Sequence, residues 1–172
     1  MGTKITKQQI HELLIDSLAD SIREHSELDK TPLEVEVDFP LPSKLRVYGY
    51  RVTTPPGSGP NGEHIARLIV PGQNPGERSS FDHSEGYFVL LLGYAPEREV
   101  FILWDAGLHR DFLYSKIVRV NPGPLFEAVA GNIGSQERHL HTGTEIVLTA
   151  NMNNLSDAIE LRSKLTTERL IN

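Results

Sequence analysis

Apolar residues recur with two different periods along this chain, and the switches between them outline its elements. Ile10, Leu13, Leu14, Leu18 and Ile22 follow helical spacing and predict an amphipathic helix over 7–24. Thr6 and Gln9 stand where a capping box would open it, each side chain satisfying a free backbone donor. Its outer face (Glu12, Asp16, Asp20, Glu24) reads as solvated surface. Acid and apolar residues alternate over Glu34–Phe39, which predicts a half-buried strand closed by Pro40 and Pro42. Lys44–Thr53, Glu63–Val70 and Ser115–Val120 read as further strands, with a Pro/Gly loop at 54–62 and an irregular polar stretch at 73–86.

Two unbroken apolar runs, Tyr87–Tyr94 and Glu99–Asp105, flank Ala95-Pro96-Glu97-Arg98 and predict a hairpin covered on both faces. Pro in the first turn and Gly131 behind it bound a short helix over Pro124–Ala130. A strand at Glu145–Ala150 precedes a closing helix, Asn154–Leu170, capped by Asn154 with Asp157 in its first turn. The expected fold is α+β: a curved, mostly antiparallel sheet or partial β-barrel flanked by N- and C-terminal helices. It would form a single domain over 1–172, with its β-rich core at 34–150.

Composition narrows the class. The 172 residues suffice for one core, and no apolar run is long enough to span a bilayer, so a soluble, cytoplasmic protein with no membrane partner is expected. The absence of cysteine removes disulfides, thiol nucleophiles and cysteine-ligated zinc. Net charge is −6, unevenly spread. Residues 1–43 carry nine acids against four Lys/Arg, whereas 44–142 carry ten of each and five of the seven histidines. Affinity for DNA depends on local phosphate contacts, so the neutral centre is compatible with a basic face.

Motif searches mostly exclude. No glutamate has a lysine two places on, as a metal nuclease of the PD-(D/E)xK type would; Asp105 and Glu145 are the acids such a nuclease would use. His139-x-His141 could place two ligands on one strand face, but no third ligand stands out, and a polar turn is the simpler reading. His83 beside Asp82 and Glu85 is equally weak. No serine-hydrolase elbow, phosphate-binding loop or dinucleotide fingerprint is present. No catalytic residue, metal or cofactor is therefore assigned. The Gly-rich loop at 57–62 is either a plain connection or a backbone-donor loop near phosphates. The richest stretch, Trp104 to Lys116, holds the only tryptophan together with Arg110, Ser115 and Lys116. Its aromatics serve either as core or as stacking platforms for bases.

Several phrases resemble the N-terminal DNA-recognition, methylase-associated-like domain of restriction endonucleases. They are Pro55-Pro56-Gly57, Leu68 to Gln73, Leu91-Leu92-Gly93-Tyr94, Val100 to His109, and Tyr114-Ser115-Lys116. The resemblance spans about 44–162 and departs from the expected pattern at His64, Ile65 and Gly57-Ser58-Gly59. It implies a module that binds double-stranded DNA, methylated DNA included, with cleavage left to a separate nuclease domain or subunit. Arg46, Arg51, Arg67, Arg78, Arg110, Ser115, Lys116 and Arg119 are then the candidate DNA contacts. Trp104 and Asp105, with Tyr48 or Tyr50, are the candidate pocket for a flipped base. Two other readings are a protein-interaction or scaffold domain of a defence complex, and a metal-dependent nuclease with an unrecognised motif.

Overall fold

The computed structural model describes residues 4–55 and 62–172. The chain opens with α1 (Lys7–Leu18) and β1 (Ile22–His25), then β2 (Leu33–Val37) and β3 (Lys44–Arg51). β4 (His64–Leu68) and the short β5 (Arg78–Ser79) lead to the hairpin β6 (Phe88–Ala95) and β7 (Val100–Trp104). After β8 (Phe112–Leu113) and β9 (Lys116–Val120) come α2 (Pro122–Val129), β10 (Gly134–Leu140), β11 (Gly143–Ala150) and α3 (Leu155–Ile171). The main sheet has seven strands in the order β1-β2-β3-β6-β7-β11-β10 and is not closed. All its pairings are antiparallel except β3 with β6. Two ribbons, β4–β9 and β5–β8, complete this α+β fold, with α1 and α3 standing at the two ends of the chain.

The parallel β3–β6 pair needs a long crossover connection. Here β4 and β5 lie in that connection, and their ribbons cover one face of the sheet. The alternation of side chains across a strand then divides the core. Leu91, Val100, Ile102, Trp104 and Val147 point toward the ribbons, where Ala66, Leu68, Val118 and Val120 meet them. Leu90, Leu92, Phe101, Leu103 and Leu148 point the other way, against Ile10 and Leu14 of α1 and Leu155, Ala158 and Ile159 of α3. Coverage on both faces is why β6 and β7 read as unbroken apolar runs.

The expected capping box is present: Thr6 Oγ1 accepts from the Gln9 backbone at 3.1 Å, and Gln9 Oε1 accepts from Thr6 N at 2.9 Å. The helix stops at Leu18, however, not at Glu24. Ala19 adopts a φ of 36°, and Ile22–His25 becomes an edge strand paired with β2. Ile22 satisfies the helical spacing and equally pairs with Val37, so period alone could not separate the two outcomes. The His139–His141 stretch, expected as a polar turn, begins inside a strand: Gly134–Leu140 forms β10. This edge strand alternates exposed and half-buried residues without an apolar run, which removes the usual strand signal. The Gly-rich part of the 54–62 loop lies outside the described residues.

Gly93 sits beneath the Trp104 indole. A Cβ there would stand 2.6 Å from Val52 Cγ2 and 2.7 Å from Trp104 Cζ3, both inside the closed core. Gly93→Ala should lower stability by about 1–3 kcal/mol through overpacking, read as a lower urea midpoint. His11 is buried, and its Nδ1–H donates to the Leu28 carbonyl at 2.6 Å. Burial holds its pKa below the ordinary 6.5, opposed by the Leu28 bond and helped by Lys7. His64 is lowered too, again mainly by burial. The folded state thus takes up fewer protons than the unfolded chain, so the stability these residues contribute is present above pH 6.5 and lost as pH falls below it. Urea midpoints should drop from pH 7 to pH 5, and the drop should be smaller in His11→Leu.

Candidate functional site

The strand ends of β7 and β11 carry two buried carboxylates side by side. Asp105 follows β7 and caps the short 3-10 turn Ala106–Leu108, its Oδ1 accepting from Gly107 N at 3.1 Å. Glu145 on β11 points to the ribbon side, in step with Val147. The Asp105 backbone N–H donates to Glu145 Oε2 at 2.9 Å, linking the two. Asp105 is neutralised from α3. Arg169 makes a bidentate contact, Nε to Oδ2 at 2.6 Å and Nη2 to Oδ1 at 3.0 Å, and Arg162 Nη2 lies 3.7 Å away. Arg162 also donates to the Ile146 carbonyl.

Glu145 is served from the other side. Lys116 Nζ lies 3.0 Å from His109 Nδ1, and His109 Nε2 lies 2.7 Å from Glu145 Oε2. An ammonium can only donate, so it makes Nδ1 the acceptor, and the imidazole proton stands on Nε2, where it donates to the carboxylate. His109 and Glu145 are 2% and 1% exposed. Burial lowers the Lys116 pKa from its usual range, and the Glu145 charge offsets part of that.

These groups line the inner wall of a cleft of about 280 Å³ between β9 and the β10–β11 hairpin. Arg119, Arg138, His141 and Thr142 form its outer part. Arg138 Nη1 is 2.8 Å and Arg119 Nη1 3.8 Å from the two oxygens of Glu63. Beside the cleft, the β4–β9 ribbon pairs Ile65 with Arg119 and Arg67 with Ile117. The alternation that sends Ala66 and Val118 inward leaves Arg67 and Arg119 exposed, diagonal to one another on the outer face.

The sequence-predicted residues are distributed differently. Lys116 and Arg119 join this cleft, with Arg67 nearby. Ser115 occupies the turn before β9 with a φ of 63°. Arg51 lines a separate open hollow with Thr53, Thr54, His64, Glu97 and Arg98. Exposed Arg78 pairs with Asp111 at 3.2 Å, and exposed Arg110 donates to the Gly107 carbonyl at 3.1 Å. Arg46 is 3% exposed: it bonds Glu34 Oε2 at 2.8 and 3.0 Å and the carbonyls of Asp82 and Ser84 at 2.8 and 2.9 Å. Its guanidinium is therefore occupied as a strut between β2 and the segment before β6.

Trp104, Tyr48 and Tyr50 do come together, but inside the closed core on the ribbon side. Trp104 is 1% exposed, and its Nε1–H donates to the Arg119 carbonyl at 3.0 Å. Tyr48 packs on Phe81 with ring centroids 4.7 Å apart and accepts from Asp82 N. Tyr50 donates to the Ile69 carbonyl and supports the Lys7 ammonium, 4.0 Å from its ring centre. Burial leaves these rings little surface for a base, yet Trp104 and Asp105 both border a small cavity of about 130 Å³ with His83, Arg110 and Arg169, and Tyr50 borders another of about 390 Å³ with Lys7 and Arg67. His139 stands on β10 and His141 in the following turn, so the pair does not share a strand face. No cluster of metal-ligating side chains occurs among the described residues.

Sequence reasoning missed Arg138, Arg162 and the pairing of His109 with Glu145. Arg162 had a legible signal. It occupies the next turn of the apolar stripe Leu155, Ala158, Ile159, a position that only a compensated charge can fill.

Fold and site define an α+β protein with an open mixed sheet, one face sheathed by ribbons, and a cation-lined cleft at their border. The chain belongs to the family described as Methylase-associated X1, whose model matches residues 43–159. That span runs from the start of β3 into α3 and includes the whole cleft. No curated protein and no solved structure matches the chain. No helix among the described residues is long and apolar enough to cross a membrane.

Asp105→Asn would leave the buried Arg162 guanidinium without its counter-charge. Loss of about 3 kcal/mol is expected, the scale for breaking a buried pair by removing one partner, measurable by urea denaturation.

Proposed function

We propose that this chain is a DNA-recognition module of a restriction-type defence system. It would bind double-stranded DNA in the cytoplasm and leave cleavage to a separate nuclease domain or subunit. Membership of a methylase-associated family supports the restriction-modification setting. The observation that carries the DNA-binding reading is the convergence of Lys116, Arg119 and Arg138 on one cleft, with Arg67 exposed on the adjoining ribbon. A two-stranded antiparallel ribbon fits the major groove of B-DNA, and arginine is the commonest reader of guanine there. The acidic outer residues of α1 sit across the sheet from the ribbon, because α1 packs on the opposite face. A duplex on the ribbon would therefore be kept away from them. The preference among modified duplexes, including methylated ones, would follow from the base edges met in the groove and cleft.

Metal-dependent cleavage by this chain is disfavoured: both Asp105 oxygens are held by arginine, and Glu145 Oε2 is already shared between two donors.

Fluorescence anisotropy against unmodified, 5-methylcytosine, 5-hydroxymethylcytosine and 6-methyladenine duplexes, at low and moderate salt, tests this reading. Affinity should fall steeply with salt. Arg67→Ala and Arg119→Ala should each weaken binding and lower the log–log salt slope by about 1. No binding to any duplex at low salt would end the DNA reading and favour a protein-interaction domain of a defence complex.

A further inference from the structure

We infer that the cleft beside the β4–β9 ribbon is a pocket for a single extruded nucleotide, with Glu145 and Lys116 reading the base edge and Arg119 and Arg138 holding the phosphate side. This deepens the DNA-binding reading and rests on it.

Three observations converge. The first is a half-used buried acceptor. Both hydrogen bonds to the Glu145 carboxylate, from Asp105 N and His109 Nε2, end on Oε2. Oε1 has no hydrogen bond among the described residues, although Glu145 is almost wholly buried and forms part of the cleft wall. This oxygen is not sealed from solvent, so a ligand N–H entering the cleft could take the place of the water that meets it.

The second is the neighbouring donor. Lys116 Nζ carries three protons and gives one to His109 Nδ1, so two remain for a ligand. One acceptor beside a strong donor complements a base edge that offers an exocyclic N–H next to a ring nitrogen. Adenine and cytosine both present that edge. The third observation is the rim. Arg119 and Arg138 are tethered to Glu63 at the outer part of the cleft, where a sugar-phosphate would remain once the base had entered. The cleft, at about 280 Å³, has room for one base.

His109 is a positioning residue. Its ring fixes Lys116 on one side and Oε2 on the other, so the free Oε1 and the Lys116 protons keep a set separation. The mode of recognition is hydrogen bonding from a strand-built wall; among the described residues no Phe, Tyr or Trp lines this cleft, and its only rings are the imidazoles of His109 and His141.

The test titrates the full chain with deoxyadenosine, deoxycytidine and thymidine 5′-monophosphates and with inorganic phosphate, by calorimetry and by NMR of the His109 and His141 imidazoles. Deoxyadenylate and deoxycytidylate should bind, perturb both rings, and exceed inorganic phosphate in affinity. Glu145→Gln should weaken them by about tenfold or more, the loss expected for a hydrogen bond to a charged group. Should that variant unfold, Lys116→Ala gives the same readout from the half-buried side of the cleft, and Arg138→Ala should weaken the nucleotides and inorganic phosphate alike. Equal affinity for all nucleotides and for phosphate would reduce the cleft to a plain anion site and overturn the inference. Absence of nucleotide binding alongside intact, salt-sensitive duplex binding would overturn the pocket and leave the DNA reading standing. Duplex binding that is lost in Arg67→Ala while nucleotide binding persists would separate the ribbon from the pocket, as expected.

Discussion

The Asp105 N–H bond to Glu145 Oε2 ties together two carboxylates that could not otherwise share a buried junction. Each has to be neutralised, because desolvating an ion costs several kcal/mol even after relaxation. They draw on opposite sides of the sheet. Asp105 takes Arg162 and Arg169 from α3, and Glu145 takes the His109–Lys116 pair from the ribbon side. The closing helix and the β9 ribbon are thereby fixed to adjoining strand ends by charge compensation as well as by apolar packing. Such a network adds little net stability over a well-packed apolar junction. What it supplies is a defined geometry.

That geometry explains which parts of the molecule could be read in advance. Apolar periodicity identified α1, the β6–β7 hairpin and α3, because burial on one or both faces writes itself into the side-chain pattern. It could not identify β1 or β10, edge strands whose residues are largely solvated, nor the parallel β3–β6 pairing, which is set by what the crossover covers. Of the candidate contacts, Lys116, at the end of the aromatic-rich stretch, and Arg119, just beyond it, both line the cleft. Arg46 carried the same outward signal but is consumed by Glu34 and two carbonyls. The identity of an arginine does not disclose whether its donors are free, since that depends on partners 12 to 38 residues away.

Trp104 shows the same limit in another form. A lone tryptophan at a strand end fits a stacking platform or a core plug equally well. Gly93 favours the core position: without a Cβ it leaves the space that the Trp104 Cζ3 and Cη2 atoms fill, and Arg119 supplies the carbonyl that takes the indole N–H. The ring therefore acts on β9 from below. It holds the backbone of the very residue whose guanidinium stands at the rim of the cleft. A core aromatic and a surface cation are in this way parts of one arrangement, although only the cation could touch a ligand.

The overall charge of −6 then ceases to be an objection to an anionic partner. Charges act over roughly a Debye length, about 8–10 Å at physiological salt. The acidic side chains of α1 lie on the far side of a two-layer core, whereas Glu63, the acid nearest the cleft, is paired with Arg119 and Arg138. Glu145, the remaining acid, is buried behind His109 and Lys116. A phosphate approaching the rim would meet arginine first. A base would reach the carboxylate only after passing between these cations. With the acceptor deepest and the cations outermost, a nucleotide entering the proposed pocket would be ordered by polarity, base inward and phosphate outward, before any base-specific hydrogen bond was made.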